Sequence, residues 1–319
     1  MNGMPAGQCS ADRRPSWVRG RAHHIASMCT RSPPPTSMQR RSFVLASFSA
    51  AAAAAPLASR AQGGAALPAI PDPAQTRVQP EWGRLFDAAQ VPGTLVVLDL
   101  RGGQASARVH GPVRAALRVS PASTFKIPHS LFALDAGLVR DEFQVFKWDG
   151  VQRPVPAWNR DQDLRCAVRD SAVWVFEGFA RQLGTAREED YLKKIGYGNG
   201  LATGQAPFWV EGDLAISAHE QIALLHALYR NALPFAREHQ RLVKDVLVNE
   251  AGSHWILRAK SGWSGRIGWW TGWMELPEGP VFFALNIDTP RRQADLPKRI
   301  DIVREALRGI GAWPARCQT

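Results

Sequence analysis

The chain has 319 residues, 45% of them hydrophobic, enough to bury a sizeable core in one large domain or in two lobes. Its formal charge of +11 is uneven: residues 1–61 hold eight arginines and one aspartate, and the remaining 258 residues carry only +4. With the excess in the leader and no recognised nucleic-acid module, the charge gives no ground for nucleic-acid binding. Of four cysteines, Cys9 and Cys29 fall in the leader, and Cys166 and Cys317 read as two isolated thiols without metal-ligand spacing.

The leader has its own logic. From Met38 it runs through Arg40 and Arg41, an apolar stretch Phe43 to Leu57, and "SRA" before Gln62. This is the charged, apolar and small-residue order of an export signal, with a twin-arginine resemblance, and it places cleavage before Gln62. The apolar stretch is too short and alanine-rich for a stable membrane anchor. Residues 1–37 lack apolar periodicity and read as lying upstream of the true start.

A Pro- and Gly-rich entry segment follows, then "GTLVVLDLRGG" as a strand. "ASARVHGPVRAALRVSP" reads as a second strand, a turn at Gly111–Pro112 and a third strand. From Ser123 to about Leu201 the chain reads as helical, including "RDSAVWVFEGFARQLG" and "AREEDYLKKIG", whose "REED" is expected to be a solvated helix start. "SAHEQIALLHALYRN" is a further amphipathic helix. "HWILRAKSG", "GWWTGWMEL" and "GPVFFALNID" read as an antiparallel meander, and "LPKRIDIVREALRGIG" closes the chain as a helix. Strands at both ends and helices between them predict a mixed α/β fold. The expected form is an antiparallel sheet flanked by terminal helices, with an inserted all-helical lobe at about 121–211 and a sheet lobe at about 62–120 and 212–319.

Three motifs carry chemistry. In "PASTFKIP", Ser123 and Lys126 are three apart, so on a helix they share a face, and near a helix start the Ser123 N–H faces a developing oxyanion. "SAV" (Ser171–Val173) comes 48 residues later, and "KSG" (Lys260–Gly262) 89 after that, ending a predicted strand. S-x-x-K followed by K-[ST]-G marks the penicillin-recognising serine acyl-transferases. His129 in the Ser123 helix has no suitably spaced aspartate and reads as packing or surface. Trp269, Trp270 and Trp273 read as core and cleft wall. No histidine spacing predicts a metal site.

From about Gly93 to Gly311 the chain resembles the class D, or oxacillinase-type, serine β-lactamases. The resemblance rests on "PASTFKIP", Ser-x-Val, "YGN" (Tyr197–Asn199), "FWVEGDLAIS", "KSGWSG", "GWWTGW", "FFALNID" and "LPKR". It implies hydrolysis of penicillin-type β-lactams through an acyl-enzyme on Ser123, in a periplasmic enzyme with no cofactor beyond CO2-derived carboxylation of Lys126. The roles it implies are these: carboxylated Lys126 as general base in both half-reactions, Ser171 as proton relay to the lactam nitrogen, and Lys260 as electrostatic support. Ser123 and Trp263 N–H groups form the oxyanion hole, Val173 and Trp209 the carbamate pocket together with Phe125 and Leu164. Ser261, Gly262 and Arg299 hold the substrate carboxylate, and Tyr197 and Asn199 brace the neighbouring loop. Two departures stand out: a short connection of Arg266 and Ile267 before "GWWTGW", and Lys298, expected to add positive charge beside Arg299. A β-lactam sensor that acylates without turnover and a low-molecular-mass penicillin-binding protein are the rivals; oligomeric state is left open.

Overall fold

The computed structural model describes residues 71–72 and 75–314. The expected signal and cleavage site lie outside the described residues. Seven strands form one sheet: β1 (Arg77–Val78), β2 (Gly93–Asp99), β3 (Ser106–His110), β4 (Val248–Ala251), β5 (Ile256–Trp263), β6 (Ile267–Leu276) and β7 (Gly279–Asp288), in the order β1-β3-β2-β7-β6-β5-β4. All pairs are antiparallel except β1 with β3. The last three long strands are the predicted meander, and β2 pairs directly with β7, so the two ends of the chain meet mid-sheet.

Nine α-helices occur among the described residues: α1 (Gly83–Ala89), α2 (Pro112–Ala116), α3 (Lys126–Asp135), α4 (Leu164–Arg169), α5 (Val173–Leu183), α6 (Thr185–Lys194), α7 (Ala218–Tyr229), α8 (Arg237–Val246) and α9 (Lys298–Gly309). The expected third strand after Gly111 is instead α2. Gly111 takes the left-handed conformation, Pro112 occupies the first turn, and the apolar residues that follow wind up rather than extend.

The period-2 pattern of the strands sorts their side chains onto the two sheet faces. Leu95, Val97, Trp270, Met274, Phe283 and Leu285 pack with Trp82 and Phe86 near the first helix and with Ile302 and Val303 of α9. Val96, Leu98, Trp269, Trp273, Phe282 and Ala284 face the opposite way and share a core with the helices α3 to α8. The tryptophan strand is thus split, Trp269 and Trp273 toward the lobe and Trp270 toward the terminal helices, as core and not as a cofactor box. Burying aromatic side chains of this size contributes about 1.5–3 kcal/mol each.

Two further expectations change. Cys166 is disulfide-bonded, not an isolated thiol; separation along the chain says nothing of proximity in space. Within "REED", Glu188 is buried at 1% exposure because α6 turns it inward onto α3, where its Oε1 lies 2.7 Å from His129 Nε2. His129 is fully buried, so of its two expected settings the packing one holds.

Candidate active site

The predicted catalytic residues gather where the helical lobe meets the C-terminal half of β5. Ser123 lies in a 3₁₀ turn, Ala122–Phe125, that runs into α3, and Lys126 is the first residue of α3. In 3₁₀ geometry side chains at i and i+3 eclipse, so this turn stacks the two more closely than an α-helix would. Lys126 Nζ donates to Ser123 Oγ at 3.0 Å. The preceding residue, Ala122, holds a positive φ of 48°, a cost a non-glycine residue bears only where the surroundings enforce it. Those surroundings are visible: Trp269 Nε1 donates to Ser120 O at 2.8 Å, Ser120 Oγ donates to Trp209 O and Val210 O at 3.0 Å, and Thr124 Oγ1 donates to Pro121 O at 2.7 Å.

Lys126 is fully buried, and its Nζ lies 5.0 Å from the centroid of Phe176. Burial pushes its pKa well below the usual lysine value, and repulsion from Lys260 adds to this against a weaker attraction from Glu177. Phe125, Leu164 and Trp209 are also fully buried in the same core. Val173 is half-buried and opens α5, which carries Phe176 one turn on. Trp209 sits edge-on to Phe208 and 5.7 Å from Phe125, and its buried indole N–H has no hydrogen-bond partner. An unpaired donor of this kind is costly unless something accepts from it.

Ser171 lies between α4 and α5 in a left-handed conformation, φ 56°. Its Oγ accepts from Lys260 Nζ at 2.5 Å, and the same ammonium donates to Ser261 O at 2.9 Å. Lys260 is 4% exposed. Burial lowers its pKa to about 7, helped by repulsion from Arg299 and opposed by Asp170. Two residues along β5, Gly262 lies against the Ser123 turn: a Cβ there would sit 2.9 Å from Pro121 O and 3.2 Å from Ser123 N. Only a glycine lets the strand approach so closely, one residue before Trp263. The Trp263 indole is anchored on Thr289 Oγ1 at 3.1 Å. Ser261 is half-buried opposite Trp270 on β6.

Arg299, 8% exposed, enters from the start of α9 and donates to Leu296 O and Gly262 O, both at 2.7 Å. Burial lowers its pKa to about 10, so the guanidinium stays charged at neutral pH. Lys298 does not add a free charge beside it: its Nζ binds the buried Asp295 at 2.8 Å, a carboxylate that also takes Arg291 Nε at 3.0 Å. Asn199 fastens the Tyr197 turn, donating to Asp213 O at 2.6 Å and accepting from Ala215 N at 3.1 Å. Tyr197 is buried edge-on to Phe125. No cluster of three or more metal-ligating side chains occurs among the described residues, and no described helix is long and apolar enough to cross a membrane.

Sequence reasoning missed Phe176, although its three-residue spacing from Val173 on an amphipathic helix was a readable sign. It also missed Trp158, whose place at the Ser171 turn comes from a loop with no local periodicity.

A serine–lysine pair on a helix start, a second serine–lysine pair from lobe and strand, and a buried arginine define a penicillin-recognising acyl-transferase site. Residues 93–308 match the penicillin-binding-protein transpeptidase domain. The chain is 60% identical over 235 residues to β-lactamase OXA-15 of Pseudomonas aeruginosa and likewise to OXA-2 of Salmonella typhimurium, covering 73% of this chain and 86% of each relative. It is 48% identical over 193 residues to OXA-48 of Klebsiella pneumoniae, covering 59% of this chain and 72% of that one. A solved class D β-lactamase from Nostoc, YbXI, superposes with a TM-score of 0.68 at 36% identity, covering 72% of this chain and 98% of that one. The chain belongs to the penicillin-binding transpeptidase-domain family and, within it, to the class D β-lactamases, which are hydrolases.

Proposed function

We propose that this enzyme hydrolyses the β-lactam amide of penicillin-type antibiotics through an acyl-enzyme on Ser123, with carboxylated Lys126 as the base. The observation that carries this reading is the fully buried Lys126 amine, 3.0 Å from Ser123 Oγ, in a setting that disfavours its ammonium form. A neutral amine adds to CO2 to form a carbamate and releases one proton. The residues present fit that group: Phe176 and Phe125 supply apolar walls, and the unpartnered Trp209 N–H is a ready donor to an anionic oxygen.

The steps then follow from the side chains. Lys126, once carboxylated, takes the Ser123 proton as Oγ adds to the lactam carbonyl. The Ser123 and Trp263 N–H groups stabilise the oxyanion. The proton taken from Ser123 passes on by way of Lys260 and the Ser171 hydroxyl to the departing nitrogen, which restores both that hydroxyl and the base on Lys126. Arg299, with Ser261 and Gly262 beside it, holds the substrate carboxylate. Lys126 then activates water to release the acyl group. Neither the metal nor the nucleic-acid chemistries enter this scheme. The leader pattern supports export to the periplasm without a stable membrane anchor; purified native protein that starts upstream of Gln62 would overturn the cleavage.

Hydrolysis of a chromogenic cephalosporin with and without added bicarbonate tests the whole. Sustained turnover that rises with bicarbonate is expected. A one-equivalent burst that stops under both conditions would point instead to an acylating sensor or a penicillin-binding protein.

Lys260 makes the pH dependence specific. Its pKa is lowered to about 7, so above that pH the free enzyme loses the ammonium that supports Ser171. The alkaline limb of kcat/KM is expected near pH 7. The limb of kcat should lie higher, because a bound substrate carboxylate favours the charged amine. A kcat/KM that instead rises through pH 7 would make neutral Lys260 a base.

A further inference from the structure

The segment between α3 and α4 closes on itself and then reaches the Ser171 turn. Phe146 and Gln162 exchange backbone hydrogen bonds at 2.7 and 3.0 Å, which ties the base of the excursion. Inside it, Asn159 Oδ1 accepts from Arg153 N at 2.8 Å and its Nδ2 donates to Arg153 O at 2.9 Å. The half-buried Trp158 is presented by this frame. Its Nε1 donates to Asp170 O at 2.7 Å, and its own carbonyl accepts from Trp174 Nε1 at 3.0 Å. Trp158 is therefore bonded on both sides of Ser171, to the residue before it and to a residue three after it.

Ser171 needs such a frame. A non-glycine residue in left-handed conformation costs energy and persists only when its surroundings over-determine it. Its neighbour Asp170 is clamped as well, by Arg160 Nη2 at 2.9 Å and by Arg169 Nε at 2.8 Å. The hydroxyl that results meets Lys260 at 2.5 Å.

We propose that Trp158 is a positioning residue for Ser171: its indole N–H, seated on the Asp170 carbonyl, holds the strained backbone that aims the Ser171 hydroxyl at Lys260. This rests on the reading of Ser171 as the proton relay. Trp158 acts through Ser171, and a comparison of two backgrounds separates this from cleft packing.

The test is the rate of acylation of Ser123 by a fluorescent penicillin, measured for Trp158→Phe in two backgrounds, the parent enzyme and Ser171→Ala. Phenylalanine keeps an aromatic ring and removes the N–H. Losing one neutral hydrogen bond predicts a fall of about five- to ten-fold in the parent. In Ser171→Ala the same change should alter the rate less than two-fold, because the group it positions is gone. Equal losses in both backgrounds, or no loss in the parent, would overturn the proposal. If Ser171→Ala alone acylates at the parent rate, the relay reading fails first and the proposal falls with it. Should Trp158→Phe not fold, Trp174→Phe decides: it removes the bond that holds Trp158 O, and a two- to three-fold loss is expected only where Ser171 is present.

Discussion

Lys126→Met is expected to lose turnover by about 10²–10⁴-fold, the range of a positioned base, and yet to unfold at a higher temperature than the parent. Methionine conserves most of the volume and removes a fully buried amine. In the unfolded chain that amine is protonated at neutral pH; on folding it must give up either its proton or its hydration. Because the folded pKa is depressed, the destabilisation is full below the folded pKa and fades as pH rises towards the ordinary lysine value near 10.5. In CO2-free buffer the gain for methionine should therefore be about 1–2 kcal/mol near neutrality, or about 2–4 °C per kcal/mol, and should shrink at alkaline pH. Parallel steady-state kinetics and calorimetry check both halves. Retained turnover would mean another base, and a lower melting temperature would mean that the amine is paired rather than strained.

Trp209→Phe carries the second large effect. Alanine at this site would open a cavity costing about 3–5 kcal/mol, so phenylalanine is the cleaner probe of the lost N–H. A hydrogen bond to a charged group is worth about 1.5–3 kcal/mol, so the carboxylated form of Lys126 should weaken by about 10–100-fold. Acylation should stay detectable while deacylation slows, leaving an adduct on Ser123 visible by intact-protein mass spectrometry. High bicarbonate should restore part of the rate. Unchanged turnover without bicarbonate would remove Trp209 as the donor to that group.

Much of this was legible from residues alone, and the reasons are local. Ser123 and Lys126 declared themselves because a one-turn spacing survives whether the turn is α or 3₁₀. The β5–β7 meander was readable from alternation, and the lobe-facing tryptophans follow from the same period. What escaped was set by partners distant in the chain. The residues after the Gly111–Pro112 turn read as a strand because apolar residues alone do not separate one helical turn from an extended segment. Glu188 looked solvated because its partner, His129, lies 59 positions earlier. Lys298 looked like a free charge because Asp295 was not recognised as a buried hub for two cations. The resemblance to class D enzymes supplied the residue roles; spacing alone would have left Ser171 and Arg299 as an ordinary turn serine and a helix arginine.

Gly262 has a bearing beyond its own contact. Ser123 and Lys126 ride on the 3₁₀ turn and α3, whereas Lys260 and Trp263 ride on β5, and the bare glycine backbone is one of the places where turn and strand touch. Function thus depends on a mechanical tolerance. A relative slip of about an ångström would leave every helix and strand intact and still part Ser171 from Lys260. On gentle heating the enzyme is then a gauge of its own seam, falling silent while its secondary structure still reads as native.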